Sequence, residues 1–404
     1  MSKKTDVFKA KISEYLSLDN VFLFWKGRVA LYAILKAIGI KEGDEVILPA
    51  FTCVVAVNPI IYLGAKPIYI DIEPDTFNID PQKIENKITK RTKAIIAQNT
   101  FGLPANIDLI LEIAKRNNIF VIEDCAHGFG GTYKGKKNGT VADAAFYSTQ
   151  WNKPFSTGLG GIAVTTNSDM AEKLRKLEKK AIQPSFKETF LLKGLLNIRE
   201  KLLSSNTYWV ALKTYRFLSE KNLIIGSSQG YELEKPVMPP DFLKGFSDVQ
   251  AEEGIKYFEK VNNEYKIDKL ISHRKKIASL YKKIIIDLGF EPPFEPDYTD
   301  HTYLRFPLLV KDRNKFFRLA QDNKIELGDW FLSPIHPITS NFEFWYYRYG
   351  ENPISEYASK HIVNLPTHSK INEDFIDKVY EFLKKNKDEI IGCYLTENLI
   401  REET

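Results

Sequence analysis

The chain has 404 residues, of which 44% are hydrophobic and 27% charged, and its net charge of +5 comes from 57 basic and 52 acidic residues. This length predicts two domains, or one large domain with a smaller appendage, and the even spread of charge excludes a dedicated nucleic-acid surface. The three cysteines, Cys53, Cys125 and Cys393, lack metal-ligand spacing, so we expect no metal site and a reducing, cytoplasmic environment.

The N-terminal segment "MSKKTDVFKAKISEYL" predicts neither a signal peptide nor a membrane anchor. It lacks an uninterrupted apolar stretch, and no window of the chain reaches the roughly 18 apolar residues of a spanning helix. We therefore expect a soluble protein.

From about residue 20 to 185 the sequence alternates short β-branched runs with helical patterns. The runs "DEVILPA", "KPIYIDI", "TKAIIAQ", "IFVIEDC" and "GGIAVTT" are near-continuous apolar strands of the kind that a parallel sheet buries on both faces. Segments between them, such as "RVALYAILKAIGI" and "NIDLILEIAKRNN", have apolar residues at helical spacing. This alternation predicts an α/β layered fold.

Residues 186–236 interrupt this rhythm with the helical segments "KETFLLKGLLNIREKLL" and "NTYWVALKTYRFLSE", followed by the loop-like "GSSQGYELEKPVMPPD". We interpret them as an insertion in a large domain that spans residues 1–245. Amphipathic helices of this kind could lie on a membrane surface, but packing on the body of the protein or on a partner subunit is the favoured interpretation.

The remaining residues, 246–404, predict a smaller α+β domain. The segment "FSDVQAEEGIKYFEKVNNEYKIDKLISHRKKIASLYKKI" predicts a long connecting helix. A strand, "TYLRFPLLV", and two helices, "KFFRLAQDNKI" and "EDFIDKVYEFLKKNKDEI", follow it.

The polar residues that end the predicted strands are the first candidates for a site, because ligands of open parallel sheets bind at the carboxyl ends of the strands. Asp124 closes "FVIED", where its carboxylate either stabilises a cationic partner or caps a helix. Gly27 and Arg28 precede a helix whose N-terminus could bind an anion, although a loop glycine beside an exposed arginine is the simpler interpretation.

Lys153 lies in "AFYSTQWNKPFSTGLGGIAVT", between an aromatic-rich run and a glycine-rich turn. In a partly desolvated pocket a lysine has a lowered pKa and can act as a nucleophilic amine. Ser148 and the glycines of the turn offer a hydroxyl and close backbone approach to an anionic cofactor. A solvated surface lysine is the alternative.

In this order the segments resemble the DegT/StrS family of pyridoxal-phosphate-dependent nucleotide-sugar aminotransferases, which belong to the fold type I superfamily. The motifs that carry the resemblance are "EDCAH", the serine with a lysine five residues on, the "GLGG" turn, "GDWFLSPIHP" and "NLPTH". The resemblance implies an αβα sandwich with a mostly parallel central sheet and a smaller C-terminal α+β domain.

The resemblance also implies a role for each matching position. Lys153 falls on the lysine that forms a Schiff base with pyridoxal phosphate and acts as catalytic base. Asp124 falls on the partner of the pyridine nitrogen and His127 on the neighbour of the ring hydroxyl. The remaining cofactor-binding positions are Ser148 and the backbone amides of Arg28 and Val29 at the phosphate, and Cys53 at the ring face. His336, Trp151 and Asn152 fall on the substrate side, although His336 and His368 could equally be structural polar groups.

Several positions depart from the family pattern. Cys53 stands where an aromatic residue usually stacks on the cofactor ring, and Arg28 where threonine is commoner. Leu243 occupies the position of an asparagine that reaches the partner subunit's phosphate, so Lys244 or another residue could take over that contact. Trp151 and Asn152 replace the usual residues before the lysine.

The implied activity is transfer of an amino group from an amino acid, glutamate in most relatives, to a ketosugar, with nucleotide-linked sugars as the first choice, in a cytoplasmic homodimer. Sugar 3-dehydratases of the same fold carry histidine in place of the lysine, so Lys153 argues against dehydration. Two alternatives stay open: amination of a non-sugar aldehyde or ketone, and a non-catalytic regulator that binds the cofactor or a sugar. The sequence does not identify the acceptor, the donor or the role of the insertion.

Overall fold

The computed structural model describes residues 2–202 and 230–395. Its strands, in chain order, are β1 (Val21–Phe24), β2 (Glu45–Pro49), β3 (Thr52–Cys53), β4 (Lys66–Ile70), β5 (Thr92–Gln98), β6 (Phe120–Asp124), β7 (Thr132–Tyr133), β8 (Lys136–Lys137), β9 (Ala144–Ser148), β10 (Gly161–Thr165), β11 (Lys260–Val261), β12 (Glu264–Tyr265), β13 (Thr299–Asp300), β14 (Phe306–Val310), β15 (Ile335–His336), β16 (Ile362–Leu365) and β17 (Ile390–Gly392).

The helices, in the same order, are α1 (Lys3–Leu16), α2 (Gly27–Ala37), α3 (Val54–Tyr62), α4 (Pro81–Ile84), α5 (Ile107–Asn117), α6 (Ser168–Lys180), α7 (Phe186–Leu202), α8 (Gly230–Glu234), α9 (Asp248–Ile255), α10 (Lys266–Asp287), α11 (Arg313–Asp322), α12 (Pro353–His361) and α13 (Glu373–Lys385). Within the described residues, none of them combines the length and the apolar character needed to cross a membrane.

The main sheet has seven strands in the order β1-β10-β9-β6-β5-β2-β4. Strands β9, β6, β5, β2 and β4 run parallel, and β10 and β1 add two antiparallel pairings at one edge. Nearly every residue of these strands is buried, as expected for a sheet that helices cover on both faces. The predicted α/β architecture is therefore confirmed, and β6 and β9 end side by side.

The C-terminal part of the chain forms a second, smaller layer. Its three-stranded antiparallel sheet has the order β16-β14-β17, and α10, α11 and α13 pack on it in a core of their own. Helix α10 joins two cores: Ile267 and Ile271 pack with Phe8 beside the main sheet, whereas Ile277 and Ile285 pack with the C-terminal sheet. A domain boundary between residues 245 and 246 stays a prediction.

Two local predictions are wrong. The connecting segment is not one helix, because Asn262 and Asn263 adopt positive φ angles of 56° and 63° and turn the hairpin β11–β12 between α9 and α10. Asparagine tolerates this left-handed conformation better than most residues do. The loop predicted after residue 225 contains helix α8, whose Glu232 is buried by a tertiary contact with Arg28.

The insertion packs on the body of the protein through α7. Leu192 and Leu196 are buried against Trp25 and Leu159, and Trp151 packs on the same cluster. For the first predicted helix of the insertion, this packing agrees with the favoured interpretation, which was contact with the body of the protein. The second predicted helix, "NTYWVALKTYRFLSE", lies outside the described residues.

We predict that the packing of α1 on α9 contributes strongly to stability. Phe8 is fully buried, stacks on Phe246 at 5.6 Å between ring centroids, and lies where a side chain on Gly254 would overlap it. Phe8→Ala should lower the free energy of unfolding by about 3–5 kcal/mol, as large-to-small core substitutions do. Urea denaturation measures this loss. Val7→Ala, on the exposed side of α1, is the control and should change it by less than about 0.5 kcal/mol.

Candidate active site

A cavity of about 940 Å³ opens where the main sheet, α7 and the C-terminal layer meet. It lies at the carboxyl ends of β6 and β9, beside the N-terminus of α2. The predicted site residues that line it are Arg28, Cys53, Asp124, His127, Ser148, Trp151, Asn152, Lys153 and His336. Val29 does not line it, because its side chain lies in the core.

Lys153 follows β9 in a turn in which its amide donates to the carbonyl of Gln150 at 3.0 Å. Its side chain is half-buried, and its Nζ lies 4.8 Å from the centroid of the Trp330 ring. Burial lowers the pKa of this amine to about 8, against an opposing effect of the Asp124 carboxylate. About a tenth of the amine is therefore neutral, and nucleophilic, at pH 7, against less than about a thousandth for an ordinary lysine.

Asp124 is the last residue of β6, and its side chain is buried. Its Oδ1 accepts a hydrogen bond from the amide of Ala126 at 2.9 Å. Burial raises the pKa of the carboxyl to about 6, although the Ala126 amide and the Lys153 amine both oppose the rise. A cation placed beside Asp124 would relieve this cost of burying a charge.

His127 lies in the turn after β6 and is buried. Its ring packs edge-on against Trp330, with centroids 5.3 Å apart, and stacks on Phe331 at 6.0 Å. Burial and the Lys153 charge lower its pKa well below the usual value, so the ring is neutral. Its Nδ1 has no hydrogen-bond partner among residues 2–202 and 230–395, and it could bind a polar group of a ligand.

Ser148 ends β9 directly beside the start of α2. A side chain on Gly27 would approach the Ser148 Cβ to 2.9 Å, and one on Gly161 would overlap the backbone of Lys26. Glycine at these two positions therefore allows the helix N-terminus to approach the serine. No side chain of the described residues caps α2, so the backbone amides at this end of the cavity and the Ser148 hydroxyl can donate hydrogen bonds to an anion.

Arg28 lies at the same end of the cavity, but its guanidinium forms an ion pair with Glu232. Its Nη1 lies 2.7 Å from Oε2 of Glu232, and both side chains are 4% exposed. The amide of Val29 donates to the carbonyl of Lys26 at 3.0 Å, within the first turn of α2. The contribution of these two backbone amides to a phosphate site stays a prediction.

The family pattern predicts an aromatic residue at the position of Cys53. Cys53 pairs in register with His336 through the parallel strands β3 and β15. His336 is buried, which lowers its pKa to about 4, and its Nδ1 accepts a hydrogen bond from the amide of Leu332 at 3.2 Å. Trp330 stacks on the His336 ring with centroids 4.7 Å apart. The aromatic surface beside Lys153 therefore comes from the C-terminal part of the chain.

The two residues before the lysine differ in environment. Trp151 is half-buried, and its carbonyl accepts a hydrogen bond from Nη2 of Arg199 on α7 at 2.9 Å. The guanidinium of Arg199 also lies 5.6 Å from the Trp151 ring. Asn152 is exposed and faces the cavity. Their role in substrate binding stays a prediction.

Two further expectations concern residues near the site. His368 lines the cavity, and its Nε2 lies 3.2 Å from the carboxylate of Glu326. Lys244 does not reach the cavity, because its amine is bound by Glu188 at 2.6 Å and Asp241 at 2.5 Å. The predicted contact of Lys244 with the partner subunit's phosphate, in place of the asparagine, stays a prediction.

Among the cavity-lining residues that sequence reasoning missed are the charged residues Lys26, Arg199, Arg274 and Arg305, and the aromatic Trp330. Lys26 adjoins the glycine that begins α2, and its burial lowers its pKa to about 8. Trp330 lies within the quoted motif "GDWFLSPIHP", so a signal for it was present. The three arginines lie on separate segments whose patterns gave no local indication.

Comparison with known proteins agrees with the family resemblance seen in the sequence. The profile of the DegT/DnrJ/EryC1/StrS aminotransferase family matches residues 1–198 and 260–384. The GDP-perosamine synthase of Escherichia coli O157:H7 is 29% identical over 381 residues, which cover 94% of this chain and 88% of that protein. The UDP-2-acetamido-2-deoxy-3-oxo-D-glucuronate aminotransferase of Pseudomonas aeruginosa is 42% identical over 170 residues, 42% of this chain and 47% of that protein.

Solved structures share the fold. The sugar aminotransferase CalS13 of Micromonospora echinospora matches with a TM-score of 0.72 at 20% identity, over 95% of this chain and 92% of that one. NtdA of Bacillus subtilis, solved with bound PMP, matches with a TM-score of 0.72 at 24% identity, over 96% of this chain and 78% of that one. The predicted fold type I architecture is thereby confirmed.

We predict that Asp124→Asn stabilises the cofactor-free protein. The pKa of Asp124 is about 6 in the folded protein against an ordinary 3.8, so above pH 6 the folded state bears the whole cost of ionising this group, about 3 kcal/mol. Asparagine removes that cost. The melting temperature at pH 7 should rise, and the gain should shrink at pH 5, because the wild-type carboxyl is then mostly protonated in the folded state. Asp108→Asn, at an exposed position, is the control and should show no such pH dependence.

We also predict that Lys153 is unusually reactive. Because its pKa is lowered to about 8, its acylation rate should rise with pH to a midpoint near 8, about two pH units below that of a lysine in a model peptide. Mass spectrometry of peptides after brief acylation at a series of pH values measures this midpoint. A midpoint near 10 would show that the amine is fully solvated.

Proposed function

The chain belongs to the DegT/DnrJ/EryC1/StrS aminotransferase family, and we propose that it moves an amino group from glutamate to a nucleotide-linked ketosugar, with pyridoxal phosphate as cofactor. The observation that carries this proposal is the Lys153 amine, whose pKa is lowered to about 8, in one cavity with Asp124 and His127. A nucleophilic amine, a buried carboxylate and a neutral histidine are the groups that this cofactor needs.

The residues present fit the cofactor at each of its polar groups. Burial raises the pKa of the Asp124 carboxyl to about 6 although the Lys153 amine opposes the rise, so this group suits a protonated pyridine nitrogen. The unpartnered Nδ1 of His127 suits the ring hydroxyl. The uncapped start of α2 beside Ser148 suits the phosphate, and Lys26 at the same end adds an amine.

Pyridoxal phosphate, once bound, supplies an electron sink that stabilises negative charge on the α-carbon of the donor. Lys153 would hold the cofactor through its amine, and the same amine, when free, would act as the base that takes up the proton of that carbon. The negative charge of Asp124 would stabilise a protonated ring nitrogen. Trp330 covers one side of the amine, and His127 and His336 pack on Trp330.

The choice of acceptor rests on the relatives. Their names include GDP-perosamine synthase and a UDP-linked 3-oxo-glucuronate aminotransferase, and another matching protein is a spore coat polysaccharide biosynthesis protein of Bacillus subtilis. We therefore place the reaction in the synthesis of amino sugars for polysaccharides or secondary metabolites. Amination of a non-sugar carbonyl compound, or cofactor binding without turnover, are the outcomes that would replace this proposal.

We further propose a cytoplasmic homodimer. The three cysteines are free thiols, as in a reducing compartment. Phe186 and Phe190 at the start of α7 stack on each other and are 83% and 66% exposed. An exposed aromatic pair beside the body of the protein suits contact with a second subunit.

We predict that the purified holoprotein shows the visible absorbance band of lysine-bound cofactor, and that glutamate bleaches it. A nucleotide-linked ketosugar should then restore the band, whereas simple aldehydes should not. Absorbance spectroscopy with a panel of ketosugar nucleotides measures both half-reactions. Bleaching by glutamate with recovery on simple aldehydes alone would favour the non-sugar acceptor, and a colourless protein that binds no cofactor would contradict the proposed function.

Lys153→Ala should lower the rate of the complete reaction by about a thousandfold or more, since it removes both nucleophile and base. Lys173→Ala, on the exposed face of α6, is the matched control and should retain the wild-type rate. Near-wild-type turnover by Lys153→Ala would assign the chemistry to a different amine, and Lys26 and Lys370 also line the cavity.

A further inference from the structure

Three arginines from separate segments line the same cavity as Lys153. Arg199 lies on the insertion helix α7, Arg274 on α10, and Arg305 directly before β14. Among residues 2–202 and 230–395, none of the three forms an ion pair with a carboxylate. Guanidinium groups stay charged at physiological pH, so this wall of the cavity carries positive charge without a matching counter-ion.

Arg274 is the innermost of the three and is 8% exposed. Its Nη1 donates to two neutral acceptors, the carbonyl of Leu304 at 3.3 Å and Oγ1 of Thr367 at 3.0 Å. Burial lowers its pKa to about 9, and the charges of Arg305 and Arg199 add to this effect. The side chain is thus held in place by hydrogen bonds, while its charge is left uncompensated.

Arg305 connects this wall to the reaction centre. It is half-buried, and a side chain on Gly328 would approach its Nη1 to 2.9 Å, so glycine leaves room for the guanidinium. Burial is the main cause of the lowered pKa of Lys153, His127 and His336, and the charge of Arg305 adds to it. Arg305 therefore acts electrostatically on the groups around the amine.

Arg199 ties the insertion to the lysine loop. It donates to the carbonyl of Trp151 at 2.9 Å and lies over that ring, two residues before Lys153. Leu195 and Ile198, on the same helix, also line the cavity. The insertion thus forms a wall of the site and brings a charge to it.

The two acidic residues near this wall, Glu326 and Asp329, interact with groups other than the three arginines. The Glu326 carboxylate lies within 3.2 Å of Nε2 of His368. Burial lowers the pKa of Arg313 and of His336, and the negative charge of Asp329 raises both. Neither forms an ion pair with the three arginines in the described part of the chain.

We propose that Arg199, Arg274 and Arg305 form one site for the diphosphate of the acceptor, with the insertion helix supplying one of its three charges. A diphosphate carries at least two negative charges over several oxygens and accepts paired hydrogen bonds from guanidinium groups. A single carboxylate would be satisfied by one arginine. The inference rests on the proposed function, since it assigns to this wall the group that links a sugar to its nucleotide.

The test is binding of UDP, GDP, dTDP and inorganic pyrophosphate to the holoprotein by isothermal titration calorimetry, with 2-oxoglutarate as a carboxylate probe. Arg305→Met and Arg199→Met should each weaken nucleoside diphosphate binding by about tenfold or more, and Arg199→Lys should lose less. Arg175→Met, at an exposed position on α6, is the matched control and should bind as the wild type does.

A measurement on the wild-type protein avoids any dependence on folding of the variants. Nucleoside diphosphate should protect Arg199 and Arg305 from an arginine-directed dicarbonyl reagent, as read by peptide mass spectrometry, while Arg175 stays reactive. Absence of nucleoside diphosphate binding, or loss of 2-oxoglutarate binding alone in the variants, would overturn the inference. Bleaching of the holoprotein by glutamate tests the proposed function separately, so failure of one does not imply failure of the other.

Discussion

Desolvation of one amine, that of Lys153, is the constraint on which the arrangement of the site depends. The amine is surrounded only because three parts of the chain meet there: the ends of β6 and β9, the Trp330 and His336 rings from the C-terminal layer, and the loop that α7 holds through Trp151. Burial lowers the pKa of the amine to about 8 even though Asp124 opposes this change. Displacement of any of the three parts would let water reach the amine and bring its pKa back toward that of an ordinary lysine.

The insertion contributes charged groups in and around the cavity. Near the start of α2, Glu232 of α8 pairs with Arg28, which lines the cavity, and Glu188 of α7 pairs with Lys244 outside it. Arg199 of α7 adds a positive charge to the cavity wall. Buried ion pairs contribute little net stability, but removal of one partner leaves a costly uncompensated charge. The insertion is therefore electrically part of the site and not an appendage on its surface.

The sequence predicted those site residues that lie at the end of one strand or in the turn directly after it. Asp124 and Ser148 end β6 and β9, and His127 and Lys153 lie in the turns that follow. Apolar runs in the sequence locate such strand ends well. Arg274, Arg305 and Arg199 are different, because only tertiary packing brings α10, β14 and α7 to one wall. The hairpin at Asn262 and Asn263 had a local signal, since paired asparagines tolerate positive φ, but the flanking helical periodicity favoured a continuous helix.

Cys53 stands where the family pattern predicts an aromatic residue, and the aromatic surface beside Lys153 comes instead from Trp330. The in-register pairing of Cys53 with His336 places β15 beside β3. The Trp330 ring stacks on His336 and also lies beside the Lys153 amine. Strand β3 forms a two-stranded sheet with β15, outside the seven-stranded main sheet. Trp330 packs in a cluster that joins Phe51 and Phe101, near the main sheet, to Leu309 of β14. The aromatic neighbour of the Lys153 amine therefore lies where the main-sheet and C-terminal parts of the chain pack together, and its distance from the amine depends on that packing.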